Sequence, residues 1–216
     1  MELFEDDLAQ LAKKYELSKE DYKKEFLELL RKIYYNYILL IKDKVKVPRD
    51  ENEIRDILVD NYLNKNITYY NFIKEEKNSL GRVDIFIQES IDNEPAEFII
   101  ECKLLDSKNI NGKDGLNGKY ITNGILRFLT EHYYLSNDFN INAMIGFVVV
   151  KMDIEKNIEA INTLTKKIFK NIVEIKQHIK PLENNIYYSA YQTGKPEKDF
   201  YLYHLMMDFS SNIKSK

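Results

Sequence analysis

The sequence predicts an α/β chain of the α+β kind: a central mixed β-sheet flanked by helices. An N-terminal helical extension over 1–47 leads into a main domain over 48–216. Three observations predict this. Segments with a period of two, or with a short apolar run, occur at 69–75, 83–88, 97–103, 143–150, 186–191 and 200–209. Segments of helical period fall before and between them. Finally, 44% hydrophobic residues with only 7 Gly and 4 Pro fit a well-filled core with little linker.

Taken in order, Leu3, Phe4, Leu8, Leu11 and Ala12 space a first helix over 3–15. Ser18, followed by Lys19-Glu20-Asp21, has the form of an N-cap with an acidic first turn. The helix it opens carries Tyr22, Phe26, Leu29, Leu30, Ile33, Tyr34, Tyr37 and Ile38 to about residue 44. A face that broad must cover something, either the core or a partner. Pro48-Arg49-Asp50 breaks the chain, and a helix over 51–64 follows with Ile54, Ile57, Leu58 and Leu63 as its inward stripe. Glu53 stands at the edge of that stripe, and Asp56 and Asp60 share the helix.

The next stretch, 81–104, predicts a hairpin. Val83, Ile85 and Ile87 alternate with Asp84, Phe86 and Gln88, which sets Asp84 on the face opposite the valine and isoleucines. A polar turn over 90–95 leads to a strand with Phe98, Ile100 and Cys102 on one face and Ile99, Glu101 and Lys103 on the other. Such a strand suits a sheet covered on both sides. Two carboxylates and a lysine gathered on one sheet surface call for compensation, and a divalent cation with oxygen ligands supplies it.

A polar loop over 106–118 holds Gly112, Gly115 and Gly118 but lacks the ending of a nucleotide-cradling loop. A helix over 120–134 presents Ile121, Ile125, Phe128 and Leu129 on one face. The strand over 143–150 is the most hydrophobic and therefore central. A long helix is predicted over 155–179, and the stretch 151–180 carries seven lysines against four acids. Two strands close the chain around the turn Thr193-Gly194-Lys195-Pro196.

Asp84, followed after sixteen intervening residues by Glu101-Cys102-Lys103, lies in an order of helix, three strands, helix, strand over 51–150. This pattern resembles the PD-(D/E)XK nuclease superfamily, the restriction-endonuclease-like fold. Val83 stands where the family has proline, and the helix after the lysine strand offers Tyr120, Asn123 and Arg127 in place of the glutamine and tyrosine of some relatives. The resemblance implies a metal-dependent endonuclease. Asp84, Glu101 and the main-chain carbonyl of Cys102 would bind Mg²⁺, or Mn²⁺ in its place. Lys103 would orient or help deprotonate the attacking water and offset charge. Glu53 would be the additional helix carboxylate, and Lys119, Tyr120 and Arg127 would meet nucleic acid. The implied substrate is DNA, in a bacterial defence or restriction-type system, with the chain working as a homodimer or a subunit of a larger complex. RNA as substrate, or a catalytically silent nuclease-fold subunit acting as a nucleic-acid-binding or scaffold partner, are the competing readings.

The remaining composition narrows the classes. Lys plus Arg is 32 and Asp plus Glu is 35, a net charge of −3, so any phosphate-binding surface is local. One cysteine excludes an internal disulfide and fits a reducing cytoplasm. The acidic start MELFEDDLAQ is not a secretory signal, and no apolar run has the length of a membrane span. His132, His178 and His204 are scattered and offer no zinc spacing. The 16 tyrosines fall mostly at core spacing, and Lys166, Lys167 and Lys170 read as a solvated face.

Overall fold

The computed structural model describes residues 19–78, 81–89, 97–130, 139–170, 172–194 and 198–214. The helix expected over 3–15, its neighbour Ser18, the turn over 90–95, His132 and the Lys195-Pro196 turn lie outside the described residues. The chain is α+β, with a seven-stranded mixed sheet flanked by helices. In order these are α1 (Lys19–Lys42), α2 (Glu51–Leu58), β1 (Tyr70–Asn78), β2 (Gly81–Glu89), β3 (Glu97–Leu105), α3 (Leu116–Tyr120), β4 (Ile141–Val148), α4 (Ile154–Ile168), β5 (Glu174–Glu183), β6 (Ile186–Thr193) and β7 (Lys198–Asp208). Both α2 and α3 run on through a π-helical segment, Val59–Leu63 and Ile121–Ile125 respectively, into a further short helix. Among the described residues no helix is long and apolar enough to cross a membrane.

The strand order is β1-β2-β3-β4-β7-β6-β5. The pairs β3/β4 and β4/β7 are parallel and the others antiparallel. Every residue of β4 is buried, which is what a strand apolar on both faces requires in a doubly covered sheet. One apolar layer joins α1 and α2 to Phe98, Ile100, Cys102, Ile145, Tyr203 and Leu205. Phe26 of α1 stacks on Phe98 at 4.6 Å, and Tyr22 donates its hydroxyl to the Glu97 carbonyl. Burying an aromatic or leucine side chain of this kind stabilises by roughly 1.5–3 kcal/mol. The second layer sets Ile121, Ile125, Phe128, Ile158 and Ile161 against Ile99, Met144, Leu202 and Met206.

Two local readings change. The helix expected over 155–179 stops at Ile168, and the chain turns into β5. Its tail alternates Val173, Ile175, Gln177 and Ile179, which are at least half-buried, with the exposed Glu174, Lys176 and Lys180. This is a period of two, and it suits an edge strand, where Pro181 is also tolerated. Val83, in turn, does not share the layer of Ile85 and Ile87. It joins Ile99 and Tyr120 in the second layer, and Asp84, which separates it from Ile85, is left unpaired by both the β1/β2 and the β2/β3 ladders.

Candidate metal and phosphodiester site

The place where β2 and β3 part is where the polar residues collect. Amides two residues apart on a strand point to the same edge. On β3 those of Cys102 and Leu104 lie past the end of the ladder and face no backbone carbonyl of β2. Carboxylates take them instead. Cys102 N–H donates to Asp84 Oδ2 at 2.8 Å, and Leu104 N–H donates to Glu51 Oε2 at 3.0 Å. A strand edge that would otherwise hold orphaned amides thus fixes two carboxylates in place.

Lys103 lies at the centre. Its Nζ is 2.7 Å from Glu101 Oε1, 3.2 Å from Glu51 Oε1 and 3.4 Å from Asp84 Oδ2, and it also donates to the Cys102 carbonyl. Glu101 is 1% exposed. Two arginines flank the cluster: Arg55 Nη1 lies 3.5 Å from Asp84 Oδ1, and Arg127 Nη1 lies 3.3 Å from Glu101 Oε1. Arg55 is itself buried, and also meets Asp56 and Glu75. Burial opposes the Lys103 charge, but the Glu101, Asp84 and Glu51 carboxylates outweigh it and hold the ammonium above the ordinary lysine range. In this arrangement it donates hydrogen bonds to the surrounding carboxylates and carries positive charge.

The sequence-chosen residues divide accordingly. Asp84, Glu101, Lys103 and the Cys102 carbonyl come together, and Arg127 adjoins them. Glu53 does not: it is exposed, and its backbone N–H is taken by the Asp50 cap. The helix carboxylate at the site is Glu51. With Ile54, Arg55 and Leu58 it makes the i, i+3, i+4, i+7 stripe that faces inward, a signal present in the sequence. Arg55 was missed with it. Tyr120 is not a surface group. It is fully buried, and its hydroxyl meets His204 Nδ1 at 2.8 Å. Lys119, one position earlier on the same helix, is exposed. The Cys102 side chain is buried on the opposite face. Burial first, then the Asp84 charge, push its thiol well above the usual range.

Among the described residues no three His, Cys, Asp or Glu side chains are already disposed as a metal-ligand group. The donor chemistry nevertheless fits a hard cation. Three carboxylates and one carbonyl, all oxygen, converge on a single point that a positive charge already holds. No family model, curated protein or solved structure matches the chain.

Proposed function

We propose that the chain is a Mg²⁺-dependent endonuclease of the PD-(D/E)XK type, with a restriction-endonuclease-like core. It hydrolyses phosphodiester bonds of DNA in the cytoplasm, within a bacterial defence or restriction-type system, as a homodimer or as a subunit of a larger complex. The observation that carries this reading is the convergence of Asp84, Glu101 and the Cys102 carbonyl, from two adjacent strands, around Lys103.

Asp84, Glu101, the Cys102 carbonyl and Glu51 would hold the Mg²⁺, and Mn²⁺ suits the same oxygen donors. Bound there, the ion supplies an acidified water and a counter-charge for the developing phosphorane. Arg55 steadies Asp84 from the side away from Lys103. Lys103 would contribute an ammonium that donates to a phosphate oxygen or to the attacking water. Arg127, with a side chain 39% exposed, and the exposed Lys119 would receive backbone phosphates.

The test is cleavage of DNA and RNA substrates with Mg²⁺ against EDTA, comparing wild type with Asp84→Ala and Lys103→Ala. Each substitution should lower the rate by roughly 10²–10³-fold. Activity that survives both substitutions rules this mechanism out. Mg²⁺ binding without turnover on any substrate would favour a silent scaffold, and cleavage confined to RNA would reassign the substrate.

A further inference from the structure

Lys103 occupies the point at which the site's oxygens converge. Four oxygens surround its Nζ: Glu101 Oε1, Glu51 Oε1, Asp84 Oδ2 and the Cys102 carbonyl. An ammonium has three N–H donors, so one of these contacts is oversubscribed. A six-coordinate divalent cation satisfies all four and keeps room for water. The two cations cannot share the point.

Resting on the nuclease reading above, we infer that Lys103 is a built-in stand-in for the metal. A divalent ion takes the oxygen cage by expelling the Lys103 ammonium, and only then is that ammonium delivered to the substrate. The chemistry is a cation exchange at fixed oxygens, so the site assembles in one order: metal first, lysine second. A substrate phosphate that reaches the cluster beforehand finds the lysine committed to three carboxylates. The oxygen cage is held independently of the lysine. Asp84 and Glu51 stay anchored by the Cys102 and Leu104 amides, and Arg55 and Arg127 continue to offset the carboxylates.

The exchange is read on the wild-type chain by labelling lysines with an amine acylating reagent during a Mg²⁺ titration, quantified peptide by peptide, with calorimetry alongside. Lys156, whose side chain is 79% exposed, is the internal reference. Labelling of Lys103 should rise several-fold over the range in which calorimetry reports Mg²⁺ binding, while Lys156 stays constant. In Asp84→Asn both the heat and the rise should be lost. Lys103→Met, which removes the competitor, should bind Mg²⁺ roughly tenfold more tightly. Lys103 labelling that stays flat or falls while Mg²⁺ binds overturns the exchange and leaves the nuclease reading standing. Unchanged Mg²⁺ affinity in Lys103→Met overturns it in the same way. Absence of any Mg²⁺ heat in the wild type removes both.

Discussion

Glu51 and Glu53 differ by two positions on α2, about 200° of rotation, and only the first faces Lys103. Replacing a carboxylate that supports a metal site lowers metal affinity or activity on the order of 10–100-fold, so Glu51→Gln should reduce Mg²⁺-dependent cleavage by that amount. Glu53→Gln should stay near wild type. Steady-state cleavage of the two variants, side by side, checks the assignment, and equal losses would contradict it. Glu51 was open to identification from the sequence, since it begins the Ile54-Leu58 stripe. The choice of Glu53 followed from proximity to Ile54 and not from the angle around the helix. Glu101 and Lys103 were easier, because a period of two sets both on one face of β3, whereas on β2 the alternation breaks beside Asp84, where Val83 leaves the layer of Ile85 and Ile87. Tyr120 was placed wrongly for a physical reason. A tyrosine beside a lysine and an arginine resembles a stacking platform until the sheet beneath the helix is known. That sheet supplies His204 as the hydroxyl's partner.

Among the elements, β5 shows where periodicity misleads. The apolar spacing of α4 continues past Phe169 closely enough to imitate a longer helix, and the alternation that begins at Val173 becomes decisive only once β6 lies alongside. On the far side of β6, β7 carries a polar chain through the second layer. His204 meets Tyr120 through Nδ1 and Ser189 through Nε2, each at 2.8 Å, with no exposure. Burial lowers its pKa from 6.5 to about 3. The unfolded imidazole therefore takes a proton near 6.5, while the folded one stays neutral until about 3. Between those values the unfolded state binds more protons, so this stabilising contribution is complete above the window and is lost as pH falls through it. The slope is about 1.4 kcal/mol per pH unit. Denaturant unfolding across the upper part of the window, before the carboxylates titrate, should show that slope in the wild type. His178, whose pKa burial also lowers, contributes with the same sign, so His204→Gln should reduce the slope without abolishing it, and an identical pH dependence in the two proteins would remove the assignment.

At the scale of the whole molecule, the sheet is unevenly joined. Ladders of eight residue pairs join β1 to β2, β4 to β7 and β6 to β7, whereas among the described residues β2 and β3 share the four pairs from Gln88–Glu97 to Ile85–Ile100. The sheet and its two apolar layers were legible from strand and helix periods, but this shortened ladder was not. Nothing in the local pattern of β2 marks Asp84 as the residue at which pairing stops, because the cause is nonlocal: carboxylates from β2 and α2 replace the β2 backbone at the β3 edge.

That short ladder is a seam, and the site straddles it. Asp84 rides on the outer hairpin, while Glu101 and Lys103 belong to the inner strands. In amide hydrogen exchange, the β1–β2 hairpin should open as a unit of lower free energy than β4 and β7 and lose protection first. On the proposed metal site, Mg²⁺ held jointly by Asp84, Glu101 and the Cys102 carbonyl should slow exchange in β2 selectively. Uniform protection across all the strands would show that the seam is no weaker than its neighbours. A hairpin that breathes would let the two halves of the cluster separate and rejoin while the inner sheet stays folded, so the cluster would be the first part of the molecule to come apart and the last to close.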